Sequence, residues 1–173
     1  MRAADAATHN RKVGVIGTAA TIRSGSYDNL LRQLLPGVEI YKQACPLFVP
    51  LVENGMVGPD EEITRLAVAK YLTDIRDAGV DTLIMGCTHY PLLTDHIRNF
   101  MGPNVALINP GKVTAIAMKE ALEALDLLAD PAKEQGNAEF YVSDTTESFA
   151  ASADLFLGQY AGGKVERVAI ETY

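Results

Sequence analysis

The chain has 173 residues, 48% hydrophobic and 21% charged, with a formal net charge of −7. That length and balance predict a globular chain with a proper core rather than a disordered one. The acidic surplus argues against nucleic acid or an anionic membrane as partners, since both need a basic face.

Strand and helix patterns then alternate along the chain. Residues 1–12 read as a leading helix or linker; their start, Met1-Arg2-Ala3-Ala4-Asp5-Ala6-Ala7, has no apolar core of a secretory signal. Val13-Gly14-Val15-Ile16-Gly17 reads as a short apolar strand, and Tyr27, Leu30, Leu31 and Leu34 have helical spacing. Val38 to Tyr41 alternates as a strand. Pro46 to Gly58 reads as an apolar loop folded over something, because Leu47-Phe48-Val49 and Leu51-Val52 lie in it. Pro59 followed by acids starts a helix that ends at Gly79. Thr82 to Met85 is a buried strand, followed by a turn at Gly86-Cys87-Thr88-His89-Tyr90-Pro91 and a helix from Leu92 to Phe100. Val105 to Ile108 is a strand broken by Asn109-Pro110-Gly111. Val113 to Leu128 is a helix, and Asp130 to Asn137 a polar linker. Phe140 to Val142 is a strand, Glu147 to Leu157 a helix, and Val165 to Ile170 a last strand. Strands separated by helices predict an α/β fold with a doubly wound parallel sheet.

The cysteine turn carries the densest chemistry. A strand-to-helix turn at the carboxyl edge of a parallel sheet is where α/β folds place working residues. There a helix N-terminus and the nearby imidazole of His89 favour the thiolate of Cys87, as base or nucleophile. The other reading of Cys87 is a small apolar residue packed under the helix. His89 reads as a general acid, as a partner orienting Cys87, or as an ordinary capped turn residue. Gly17 to Gly25, with Thr18 and Thr21, offers amides and hydroxyls to an anion, or is an ordinary Ser/Thr cap; it lacks nucleotide-loop spacing. Glu53 stands beside apolar residues and binds a substrate ammonium, tunes His89, or points outward. Cys45, before Pro46, reads as packing, and His9 and His96 as surface residues. Two cysteines in all fit a reducing cytoplasm. Neither CxxC nor HExxH occurs, so no metal-site spacing stands out.

Taken together, Val15-Ile16-Gly17-Thr18 with Thr21-Ile22 and Ser24-Gly25-Ser26-Tyr27, then Cys45 to Glu53 (CPLFVPLVE), then Gly86-Cys87-Thr88-His89-Tyr90-Pro91-Leu92, resemble the glutamate racemases of the cofactor-independent aspartate/glutamate racemase superfamily. Phe140 to Ser143 and Phe156-Leu157-Gly158 also fit that family's tail. The resemblance implies interconversion of L- and D-glutamate by two thiols, supplying D-glutamate for peptidoglycan. Cys87 would be one catalytic thiol, assisted by His89. Thr18, Thr21 and Thr88 would bind substrate, with Glu53 near it.

The family's early Asp-Ser-Gly motif and its other catalytic cysteine have no counterpart in these residues. The resemblance therefore implies the C-terminal part of a racemase, of doubtful activity alone, with glutamate as ligand. Its partner would be the N-terminal half or a second copy. Residues 13–109 would be the second racemase domain. Residues 110–173 would return to an incomplete first domain whose sheet edges favour oligomers or aggregation. The alternatives are a single-cysteine, decarboxylase-like relative and a non-catalytic carboxylate-binding module.

Overall fold

The computed structural model describes residues 1–130, 138–158 and 164–170. They belong to two compact units, Met1–Asp126 and Leu127–Tyr173. The first unit runs α1 (Arg2–Ala7), β1 (Lys12–Gly17), α2 (Ala19–Ser24), α3 (Ser26–Leu34), β2 (Glu39–Ala44), α4 (Phe48–Glu53), α5 (Glu62–Asp77) and β3 (Thr82–Met85). A 3-10 turn (Tyr90–Leu93), α6 (Thr94–Met101), β4 (Ala106–Ile108) and α7 (Pro110–Ala124) complete it.

Its four strands form one parallel sheet in the order β2-β1-β3-β4. The chain leaves β1 toward β2 on one side, then returns past β1 to build β3 and β4 on the other. In open α/β sheets the crevice at such a reversal, outside the carboxyl ends of the strands, is where ligands bind. Here the reversal lies between β1 and β3, which pair Ile16 with Met85. Continuing both strands past that register brings Thr18 and Cys87 to the same edge.

Alternation along the strands sends side chains to both faces. On one face Val13, Val15 and Ile84 pack with Ala4 of α1 and Leu31 of α3, all essentially solvent-free. On the other, Gly14 leaves room for α5: a Cβ there would stand 2.9 Å from Ile75 Cγ2 and 2.7 Å from Leu83 Cδ1. Burying both faces makes β3, Thr-Leu-Ile-Met, a continuous buried run.

One residue before β3, the Asp81 carboxylate gathers the start of the unit. It accepts hydrogen bonds from Thr8 Oγ1 at 2.7 Å, from the amides of His9 at 2.7 Å and Asn10 at 2.8 Å, and from Thr82 Oγ1 at 3.1 Å. Burial raises the Asp81 carboxyl, but these four donors outweigh it and hold it below its ordinary value.

Several local expectations change, among them the start of the helix expected from Pro59, which begins at Glu62. The segment read as a loop from Pro46 to Gly58 contains α4. Phe48, Leu51 and Val52 stand at helical spacing and are buried, and Pro50 falls in the first turn, where backbone amides have no helical partner to lose. After the cysteine turn the chain enters a 3-10 turn before α6, so the α-helix starts at Thr94, two residues beyond the expected Leu92. His96 is buried rather than on the surface, with Nε2 2.7 Å from the Gly58 carbonyl.

Helix α7 begins directly after β4. Pro110 suits its first turn, and the Asn109 side chain caps it by accepting from the Lys112 amide at 3.2 Å. No residue of α7 is buried, and Ile116 and Met118 are exposed. The sequence reading divides the chain at 109/110; the compact units divide at 126/127, with α7 in the first.

The second unit is a βαβ arrangement: β5 (Glu139–Val142), α8 (Thr146–Leu157) and β6 (Lys164–Arg167), with the strands parallel. The Phe140 and Phe149 rings pack with centroids 5.3 Å apart. β6 ends at Arg167, short of the expected Ile170. Except for Asp130, the expected polar linker lies outside the described residues.

Candidate active site at the edge of the parallel sheet

Three strands deliver their ends to one edge. The Gly17 carbonyl accepts from the Cys45 amide at 3.0 Å, and the Ile16 carbonyl accepts from the Gly86 amide at 2.7 Å. The β1 terminus is thus flanked by the two cysteine turns, Cys45 after β2 and Cys87 after β3. Both cysteines are free thiols.

Their surroundings differ. Cys45 is fully buried, with Sγ 3.7 Å from the Gln43 carbonyl. Burial pushes its thiol well above the ordinary range, because the thiolate would lose its hydration. Above it, the buried Tyr90 hydroxyl donates to the Cys45 carbonyl at 3.1 Å, and the Phe48 ring meets Tyr90 edge to face at 5.1 Å. Such a ring pair contributes roughly 0.5–1.5 kcal/mol beyond its area. Tyr90 therefore fastens the Cys87 turn to the Cys45 turn. Burial, and then the neighbouring thiols, push its phenol upward, so it stays a neutral donor.

Cys87 is only partly covered. His89, two residues on, brings Nδ1 to 3.9 Å from Cys87 Sγ and 3.4 Å from Thr88 Oγ1. The other ring nitrogen, Nε2, lies 3.3 Å from Glu53 Oε1 at the end of α4. With Nε2–H donating to that carboxylate, Nδ1 is the acceptor facing the thiol. Thiol, imidazole and carboxylate thus form a line along which a proton can leave sulfur, while Glu53 steadies the imidazolium. The helix in what reads as a loop is what carries Glu53 to His89. Of the three readings of Glu53, the one that pairs it with His89, 36 residues away in sequence, is the contact found.

On the β1 side, Thr18 caps α2: its Oγ1 accepts from the Thr21 amide at 3.2 Å, and the two hydroxyls lie 3.0 Å apart. The segment Gly17 to Gly25, read as an anion cradle or a Ser/Thr cap, contains a helix of six residues that Thr18 caps. Thr18, Thr21, Cys87, Thr88, His89 and Glu53 are all at least partly exposed to solvent. The fold therefore places the threonines and the Cys87–His89–Glu53 line at one open edge.

Two tyrosines complete the surroundings. Tyr90 belongs to the cysteine turn whose residues pointed to chemistry. Tyr27 looked like part of the stripe of α3; in the fold its ring covers the α-carbon of Gly86. Burial, and next the charge of Cys87, push the Tyr27 phenol upward. The sequence signals for them were the motifs that hold them, Ser24-Gly25-Ser26-Tyr27 and Gly86 to Pro91. Among the described residues, no three His, Cys, Asp or Glu side chains are grouped to hold a metal ion, and no helix is long and apolar enough to cross a membrane.

Known proteins resemble this chain in sequence and fold. The glutamate racemase of Geobacter metallireducens is 44% identical over 170 residues, covering 98% of this chain and 62% of the relative. That of Sulfurihydrogenibium sp. is 40% identical over 157 residues, 91% of this chain and 56% of the relative. The chain thus spans less than two thirds of the length of these curated relatives. Among solved structures, glutamate racemase from Francisella tularensis in complex with D-glutamate superposes with a TM-score of 0.84 at 30% identity. That match covers 98% of this chain and 62% of the other. A glutamate racemase isoform from Bacillus anthracis gives 0.86 at 33%, covering 98% and 61%. The sequence profile of the Asp/Glu/Hydantoin racemase family matches residues 1–118. By that match and these relatives, the chain belongs to the Asp/Glu/Hydantoin racemase family.

Proposed function

We propose that the chain provides one acid–base face of a glutamate racemase site, with Cys87 as the thiol that exchanges a proton with Cα. The observation that carries this reading is the Cys87–His89–Glu53 line at the carboxyl edge of β3. Support comes from relatives named glutamate racemase and a solved relative holding D-glutamate.

In this reading the Cys87 thiolate removes the Cα proton, becoming S–H and leaving a carbanion. In the reverse direction the thiol returns it. His89 takes the thiol proton to form the thiolate, and Glu53 holds the imidazole in the accepting tautomer. The hydroxyls and amides around Thr18, Thr21 and Thr88 bind the substrate's carboxylate and amino groups, and their fixed dipoles stabilise the charge that develops beside them. Inversion needs a second acid–base group on the opposite face of Cα. Cys45 is unsuited to that role, being fully buried with its thiol pushed upward. The proposal therefore assigns the second group to a further racemase segment, either joined to this one or on another chain, such as a second copy. Residues 110–173, including the unburied α7 and the two-stranded β5–β6 sheet, are the part we assign to contact with that segment. D-Glutamate made this way would serve peptidoglycan synthesis in the cytoplasm.

The test is racemisation followed by circular dichroism. The 173-residue chain is assayed alone and with the part of the Geobacter metallireducens relative that it does not match. Alone, the chain is expected to leave D-glutamate unchanged. With the added segment, slow interconversion is expected, and Cys87→Ala abolishes it. Full turnover by the chain alone, or activity that survives Cys87→Ala, refutes the assignment.

A further inference from the structure

Cys87 is presented by a glycine with no space around it. The Gly86 amide is bonded to the Ile16 carbonyl at 2.7 Å. A methyl group on the Gly86 α-carbon would stand 2.9 Å from that same carbonyl oxygen and 3.2 Å from both Cε2 and Cζ of Tyr27. Real Cβ atoms rarely come so close to anything, so the Tyr27 ring lies flush on the backbone just before the thiol. That ring comes from the first turn of α3 (Ser26–Leu34), across the β1–β3 reversal, and packs against the core of Val15 and Ile84.

We propose that Tyr27 is a positioning residue for Cys87: its ring covers the Gly86 α-carbon, clamps the turn between α3 and the Ile16 carbonyl, and so fixes the direction in which the thiol is presented to His89. The inference rests on the reading of Cys87 as an acid–base thiol, but its consequence is measurable without glutamate. The phenol also stands within electrostatic reach of the sulfur, since the Cys87 charge helps push it upward. Removing the ring frees the turn on one side. Cys87 Sγ then leaves its 3.9 Å approach to His89 Nδ1, and the thiolate loses the imidazolium that favours it.

The readout is the rate of Cys87 alkylation by iodoacetamide against pH, followed by mass spectrometry on the whole 173-residue chain, with melting temperature measured alongside. Tyr27→Leu is expected to slow Cys87 alkylation about threefold on the low-pH limb of the curve. Tyr27→Phe keeps the ring and is expected to keep the curve. A role in packing alone would lower the melting temperature of Tyr27→Leu and leave the Cys87 curve in place; that outcome overturns the proposal. So does a Tyr27→Phe curve displaced as far as that of Tyr27→Leu, which would place the effect in the hydroxyl. If Tyr27→Leu fails to fold, Tyr27→Met carries the same expectation. A displaced curve in a chain that fails to racemise glutamate even with the added segment would keep this inference and remove only the choice of substrate.

Discussion

Replacing Asp81 by alanine removes a carboxylate that ties Thr8, His9 and Asn10 to the start of the strand presenting Cys87. Four donors lose their acceptor: Thr8 Oγ1, the His9 and Asn10 amides, and Thr82 Oγ1. A hydrogen bond to a charged group nets about 1.5–3 kcal/mol. The two amide bonds are exposed, so water replaces the carboxylate there and most of their value returns; the Thr8 and Thr82 bonds are half-buried. We therefore expect a loss of about 3 kcal/mol, nearer one full charged bond plus a remainder than the sum of four. For a unit of this size that lowers the midpoint of thermal unfolding by roughly 10 °C. The loss should depend on pH. Asp81 is held below its ordinary value in the fold. It therefore contributes stability above about pH 3.9, the unfolded value, and loses it as pH falls through the lower folded value. Melting followed by circular dichroism, for parent and Asp81→Ala at neutral pH and near pH 3, should show a wide gap that narrows in acid. A neutral-pH gap of a degree or two, or one that stays constant in acid, would refute the reasoning that these bonds are charge-assisted.

Three other outcomes are expected. Iodoacetamide at neutral pH should label Cys87 well before Cys45, because Cys45 is fully buried and its thiol is pushed upward; peptide mapping with Cys45 first would contradict the burial argument. Gly86→Ala should cost about 1–3 kcal/mol, the usual range for overpacking, because its methyl meets the Ile16 carbonyl at 2.9 Å; an unchanged denaturation midpoint would mean that the backbone yields. Hydrogen exchange should be faster in β5 and β6 than in β1 and β3, since a lone parallel pair has few neighbours and β3 is wholly buried. Equal protection would show that the pair has acquired a partner.

Much of this was written locally. The apolar runs at Val13–Ile16 and Thr82–Met85 each bury a strand on both faces, so composition alone marks a parallel sheet. Gly-Cys-Thr-His-Tyr-Pro follows a buried strand and reads locally as a strand-to-helix turn, and its neighbours marked Cys87 over Cys45. Adjacent residues also put His89 within reach of Cys87. The alternation of strands and helices specified a doubly wound sheet, and with it the edge that holds Thr18 and Cys87.

Three things depended on distance in space. Strand order determined that β1 and β3 are neighbours, with Ile16 opposite Met85; no local pattern encodes which strands pair. Packing converted an apolar loop into α4, because Phe48, Leu51 and Val52 gain burial only when the sheet and the Tyr90 ring are there to receive them. That helix brings Glu53 to His89. Likewise His96 is drawn inside by a carbonyl 38 residues away, and the Tyr27 ring comes to cover the Gly86 α-carbon only in the assembled fold. Periodicity reports which face of an element is apolar; which neighbour that face meets is decided by the assembled fold, where long-range contacts first offset the entropy of closing the loops between them.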